Sequence, residues 1–201
     1  MLRPDAADTR LTFEEFLAFE EAAELKHELV DGFAYPWPGY ETDPATGLAG
    51  ATDRHNAIVM GLVVRLFGPA QARGCRLRAL DMRLRLDERT VYYPDLQVVC
   101  DATDRHELYT ERPCLIVEVL SRGTQRIDRG EKWAAYRRLA SLESYLLVWQ
   151  DRRRVEHYRR QGGATADRDF AREEVIGSGS VHLACLDTDP TLDDIYGPPS
   201  A

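Results

Sequence analysis

Hydrophobic positions recur at two different periods along the chain. Ile58, Val59, Leu62, Val63, Leu66 and Phe67 are spaced three or four apart, which predicts a helix from His55 to near Gly74 with one face in the core. Leu80, Met82, Leu84 and Leu86 instead alternate with Asp81, Arg83 and Arg85, the pattern of a half-buried strand. Residues 91–93 and 96–100 predict strand on either side of Pro94. Residues 115–120 read Leu-Ile-Val-Glu-Val-Leu, a continuous apolar run of central-strand length interrupted only by Glu118. Residues 145–149, 155–158 and 181–186 predict three further strands, and 192–196 a last turn of structure before a Gly-Pro-Pro tail.

Polar punctuation supplies the element ends. Thr12-Phe13-Glu14-Glu15 has the form of a capping box, in which threonine and glutamate satisfy the free N–H groups of a helix start, and Leu11 with Phe16 completes a hydrophobic staple. A helix over 13–25 follows, then a short strand and turn over 27–32. Asp128 and Glu131 repeat the capping pattern and predict a helix running from 128 to about 139. Residues 36–52, rich in Pro, Gly and Thr, read as a long surface loop in position to cover a site. Helices interleaved with strands imply an α/β protein, an α+β mixed sheet flanked by helices, forming one domain over 1–201 with a short C-terminal tail.

Composition narrows the setting. With 44% hydrophobic and 30% charged residues the chain has an ordinary globular balance, and no apolar run approaches the roughly 20 residues that span a bilayer, so no membrane partner is expected. The opening MLRPDAADTR lacks the apolar core of a secretory signal, which makes the cytoplasm the expected location. Cys75, Cys100, Cys114 and Cys185 lack CxxC spacing and are expected to be reduced, buried thiols. The net charge of −8 disfavours loose binding to nucleic acid. Arginines nevertheless cluster at 76, 78, 83 and 85, at 137 and 138, and at 152–154, 159 and 160, as solvated outward positions or as a local basic face.

Glu118 is the chemically conspicuous residue. An ionised group taken out of water costs several kcal/mol unless it is paired or binds a cation, so this carboxylate either meets a metal, pairs with an arginine or points to a strand end. Asp95 enters the preceding strand after Pro94, and if the two strands are neighbours the carboxylates converge and a divalent cation relieves their repulsion. Asp128, Lys132 and Tyr136 are spaced four apart and share a helix face, so Lys132 either reaches the carboxylates or pairs with Asp128 in solvent.

Taken together and in order, Tyr-Tyr-Pro-Asp-Leu-Gln-Val-Val-Cys-Asp (92–101), Pro-Cys-Leu-Ile-Val-Glu-Val-Leu-Ser (113–121), Thr124, Asp128, Lys132, Tyr136 and Ser-Tyr-Leu-Leu-Val-Trp (144–149) resemble the Uma-two family, a bacterial group of endonuclease type with a restriction-endonuclease-like, PD-(D/E)XK core. Residues 28–32, His55 and 192–196 extend the resemblance over nearly the whole chain. It implies Asp95 and Glu118 as metal ligands, with the carbonyl of Val119, and Lys132 as the catalytic lysine. The usual position for that lysine, two residues after the glutamate, holds Leu120, and Arg122 stands where the family often has proline. Glu28, His55, Asp128 and Tyr136 are candidates to support the ligands. The implied activity is hydrolysis of DNA with Mg²⁺ or Mn²⁺, oxygen donors suiting hard ions, with a homodimer as a plausible assembly. The competing expectation is a catalytically inactive nuclease fold acting as a nucleic-acid- or protein-binding module. A two-carboxylate glycosidase, which needs neither lysine nor metal, is disfavoured by the small domain and the lack of aromatic clustering around either acid.

Overall fold

The computed structural model describes residues 10–37, 52–121, 123–162 and 170–198. Most of the expected loop, residues 38–51, and the end of the tail lie outside the described residues. The elements in order are α1 (Phe13–Ala22), β1 (His27–Val30), β2 (Phe33–Pro36), α2 (Asp53–Ala72), β3 (Arg76–Ala79), β4 (Arg83–Asp87), β5 (Thr90–Tyr92), β6 (Leu96–Val99), β7 (Tyr109–Thr110), β8 (Leu115–Leu120), α3 (Gln125–Ile127), a wide π turn (Asp128–Lys132), α4 (Trp133–Tyr136), β9 (Ser144–Trp149), β10 (Arg154–Arg160), β11 (Phe170–Ile176), a 3-10 turn (Ala184–Leu186) and α5 (Leu192–Tyr196). No helix among the described residues is long and apolar enough to cross a membrane.

Two mixed sheets form where one was expected. The larger has the order β11-β10-β9-β8-β6-β3 and the smaller β2-β1-β5-β4-β7. Within the larger, β8 runs parallel to β9 and antiparallel to β6, which places it centrally, as its apolar run requires. Its residues divide by parity. Leu115, Val117 and Val119 join Ile58, Val59, Leu62 and Leu66 of α2 in one core, whereas Ile116 and Leu120 pack on the opposite face with Tyr136, Tyr145, Leu147 and Trp149. Glu118 has the parity of the second face.

Several boundaries depart from the sequence expectation. The alternation over 80–86 overestimates a strand that begins at Arg83, because Leu80 and Asp81 take left-handed backbone (φ 51° and 43°) and turn the chain from β3 in one sheet to β4 in the other. Pro94 marks a second such passage, from β5 to β6. The expected strand over 181–186 is a 3-10 turn with isolated bridges, closed by Asp187 at φ 48°. The edge strand β11, with polar residues on much of its length, carries little alternation and was not expected. Helix α1 ends at Ala22 rather than at 25, while its Thr12–Glu15 capping box is present.

The cysteine expectation is corrected. Antiparallel pairing of Arg76 with Val99 brings Cys75 and Cys100 into opposition with their Cα atoms 4.1 Å apart, and the two form a disulfide. Cys114 and Cys185 keep free thiols, and the Cys114 sulfur lies 3.4 Å from that of Cys100. Spacing along the chain carries no trace of this cross-strand adjacency.

Two substitutions test the packing. α2 crosses α5 so closely at Gly61 that an added Cβ would stand 2.9 Å from the Asp194 carbonyl oxygen and 3.1 Å from that of Ile195. Gly61→Ala therefore lowers stability in urea unfolding, the clash of about 1–3 kcal/mol outweighing a helix-propensity gain of about 1 kcal/mol; a more stable variant would show that the helices do not approach this way. His157 is buried on β10, 2.9 Å from the Ser144 hydroxyl, and burial lowers its pKa from 6.5 to about 4. Its folded-state pKa is depressed, so the neutral imidazole contributes stability in full above the unfolded value, and that contribution is lost as pH falls from 6.5 towards 4. At pH 5 the loss is about 2 kcal/mol, which His157→Gln removes from the pH dependence of the unfolding midpoint.

Candidate active site

Glu118 occupies the middle of β8, and the register Glu118–Leu147 and Leu96–Val117 fixes its neighbours on both sides. Asp95, immediately before β6, therefore comes alongside. Its main-chain N–H donates to Glu118 Oε2 at 3.4 Å, and the Val119 N–H donates to Asp95 Oδ2 at 2.7 Å. The two acids expected to converge from adjacent strands do so.

The third member arrives from the helix. The segment after β8 turns into α3 at Thr124, earlier than the expected start at Asp128, and Asp128 lies inside the helix rather than capping it. Between Asp128 and Lys132 the helix widens into a π turn, a local loosening common at functional positions. Both residues of this turn face inward and are buried. Lys132 Nζ stands 3.2 Å from Glu118 Oε1, 3.3 Å from Glu28 Oε1 and 3.4 Å from Asp128 Oδ1. Lys132 thus reaches Glu118, and its pairing with Asp128 is made in the interior, which overturns the reading of a solvent-exposed Lys132–Asp128 pair.

The remaining candidates join the same network. Tyr136 donates its hydroxyl to Glu118 Oε1 at 3.0 Å. Glu28, on β1, accepts the Tyr93 N–H at 3.4 Å besides meeting Lys132, so the smaller sheet contributes directly to the cluster. His55 Nε2 lies 3.2 Å from Asp95 Oδ1, while the helix start it adjoins is capped by Thr52. Tyr145 was not expected. It has the parity of Glu118 across the β8–β9 pair, and its hydroxyl donates to the Asp128 carbonyl at 3.0 Å. The alternating apolar pattern of β9 marks the face it uses, although not the hydroxyl's partner.

Glu28, Glu118, Asp128 and Lys132 are each no more than 4% exposed, and their protonation follows from that burial. Desolvation pushes Glu118 well above the usual carboxylate range against the pull of Lys132, and the charges of Asp128, Asp95 and Glu28 add to the rise. Burial likewise raises Glu28 and Asp128. For Lys132 burial works downwards, but Glu118, Glu28 and Asp128 together outweigh it and hold the ammonium well above its ordinary pKa. The His55 pKa is raised in the same way, burial being overcome by its hydrogen bond to Asp95 and the charges of Asp95 and Asp128. Tyr136 and Tyr145 are pushed well up by burial and stay protonated donors.

Four carboxylates thus face one ammonium and one histidine, which leaves an excess of negative charge when the acids ionise. Among the described residues, no three His, Cys, Asp or Glu side chains stand in an arrangement that could hold an ion by themselves. The donors at the Asp95–Glu118 pair are carboxylate oxygens, the ligand class that Mg²⁺ and Mn²⁺ take. Elsewhere, most of the arginine clusters are knitted into the fold. Arg85 pairs with Glu111, Arg159 with Glu173, and Arg160 donates to the carbonyls of Leu139 and Leu142.

Comparison with known proteins gives the family and the fold. The Uma2 (Uma-two) family model, described as "Putative restriction endonuclease", matches residues 13–184. Two uncharacterized proteins of Synechocystis sp. are similar to the chain. One is 33% identical over 174 residues, covering 85% of this chain and 90% of the relative. The other is 32% identical over 147 residues, covering 72% of each. The crystal structure of a putative nuclease belonging to DUF820 from Anabaena variabilis superposes with a TM-score of 0.70 over 92% of this chain and 97% of its own, at 17% identity. That likeness establishes the fold, a mixed α+β arrangement of restriction-endonuclease type. The chain belongs to the Uma2 family of restriction-endonuclease-like proteins.

Proposed function

We propose that this protein is a divalent-metal-dependent endonuclease that hydrolyses phosphodiester bonds in DNA. One observation carries the reading: Lys132, supplied by a helix because Leu120 occupies the usual strand position, places its ammonium 3.2 Å from Glu118 beside Asp95. Two acids and a lysine are thereby brought together by three separate segments of chain. Asp95, Glu118 and the Val119 carbonyl would hold Mg²⁺ or Mn²⁺. Such an ion, when bound, supplies Lewis acidity towards the phosphate and the attacking water.

The protein's own groups divide the remaining work. Lys132 is held in its charged form, so it orients the water and stabilises charge developing on the phosphate rather than removing a proton. Tyr136 fixes the Glu118 carboxylate, and His55 fixes that of Asp95. Glu28 and Asp128 hold the Lys132 ammonium at 3.3 and 3.4 Å, which limits its rotamers. A binding module that merely retains the scaffold would use Lys132 only as the counter-ion of three buried acids.

Incubation of plasmid and oligonucleotide DNA with Mg²⁺, Mn²⁺ or EDTA tests the reading. Cleavage is expected with either metal and not in EDTA. Asp95→Asn and Glu118→Gln lower the rate by at least about 10²-fold, the scale for loss of a group acting on transition-state charge. Wild-type protein gives no product under any metal, or Asp95→Asn gives the wild-type product, if the reading is wrong. A second measurement separates the module. Calorimetric titration should show Mn²⁺ binding to wild type that is weaker by at least tenfold in Glu118→Gln, whereas a scaffold whose acids answer only to Lys132 shows no titration in either protein.

A further inference from the structure

Beside the candidate active site lies a group of arginines that the chemistry above does not use. Trp149 ends β9, paired in register with Leu120, and so lies on the Glu118 face of the sheet, two residues or about 7 Å further along the strands. Three guanidiniums surround its ring. Those of Arg152, Arg154 and Arg129 lie 4.6, 4.8 and 5.7 Å from a ring centroid of the indole. Arg129 belongs to the same π turn that sends Lys132 inward, so one short element serves both places.

Glu156 organises this group from beneath. Fully buried on β10, it accepts the Trp149 indole N–H at 3.2 Å and hydrogen bonds from Arg154 at 3.2 Å and Arg172 at 3.0 Å, and Arg129 approaches to 3.4 Å. Glu174 beside Arg154 and Arg172 and Asp151 beside Arg152 bring the carboxylates to three, still fewer than the four guanidiniums. Each guanidinium carries five N–H donors, and the side chains of Arg129 and Arg152 remain 39% and 53% exposed. Glu156, being buried, needs cationic partners for stability, and Arg154 and Arg172 hydrogen-bond to it, whereas the exposed ion pair of Arg152 with Asp151 contributes at most about 1 kcal/mol and leaves that guanidinium accessible. Pre-oriented guanidinium forks on an aromatic plate are, by contrast, the means by which proteins grip phosphodiester oxygens.

We propose that the arginine cage around Trp149 is the track for the DNA backbone next to the scissile phosphate. Arg129 and Arg152 would contact phosphates directly, and Glu156 would position Arg129 and Arg154 without touching DNA. This rests on the nuclease reading, and it concentrates phosphate contacts in one place on a chain whose net charge is −8.

Anisotropy of a labelled DNA duplex, titrated in EDTA over a range of salt concentrations, tests the track on the full chain. Wild type should bind with a marked salt dependence. Arg129→Gln with Arg152→Gln should weaken binding at least tenfold and flatten the log–log salt slope by about 2, the loss of two phosphate contacts. Arg129→Lys with Arg152→Lys should recover most of the slope, since charge is kept while the fork is not. Wild-type affinity and slope in the glutamine variant, or no binding by wild type, would overturn the track. The two readings fail separately. Metal-dependent cleavage with an unaffected glutamine variant removes the track alone, whereas lost DNA binding in that variant with no cleavage under any metal supports the track and removes the nuclease.

Discussion

The interaction on which this structure turns is a single ammonium held by three buried carboxylates. Lys132, Glu28, Glu118 and Asp128 are almost wholly withdrawn from water, and removing one partner of such a group leaves an uncompensated charge that typically costs about 3–5 kcal/mol. The four residues come from β1, β8 and the π turn, which joins the smaller sheet to the larger one through electrostatics as well as through apolar packing. A change in the register of β8 by one residue would turn Glu118 into the α2 core and bring Val119 to the ion cluster. The sheet register, the π turn and the placement of β1 are therefore mutually dependent.

The same cluster is unbalanced, and the imbalance links fold to chemistry. One lysine neutralises one acid, while the charge of Asp95 helps to raise the pKa values of Glu118 and Asp128. An arriving cation stabilises the ionised acids, whereas without one the site relies on Lys132, Tyr136 and main-chain N–H groups. A protein built only for stability would do as well or better with well-packed apolar residues there.

Much of this was legible in the sequence, for an identifiable reason. Glu118 stands out because a charge inside an apolar strand has few physical explanations, and the helix face of Asp128, Lys132 and Tyr136 follows from spacing. What sequence spacing does not carry is the crossing of the chain between sheets. Leu80, Asp81 and Pro94 divide what read as strands of one sheet into strands of two, and Glu28 enters the site only because that second sheet exists. The Cys75–Cys100 bond and the π turn are invisible for the same reason, since each is decided by tertiary pairing rather than by local preference.

The displaced lysine has a structural counterpart on the strand. Position 120 has the parity of Glu118 and faces the same layer, so a lysine there would point along the sheet towards Trp149. Leucine instead packs with Trp149, Leu147 and Ile116 in one apolar cluster. With the ammonium delivered by the π turn, the strand position is free to support the indole, and the indole in turn seats Arg129, Arg152 and Arg154. With Leu120 on the strand and Lys132 in the π turn, the inward cation that meets Glu118 is separated from the outward Arg129, and a single turn of helix carries both.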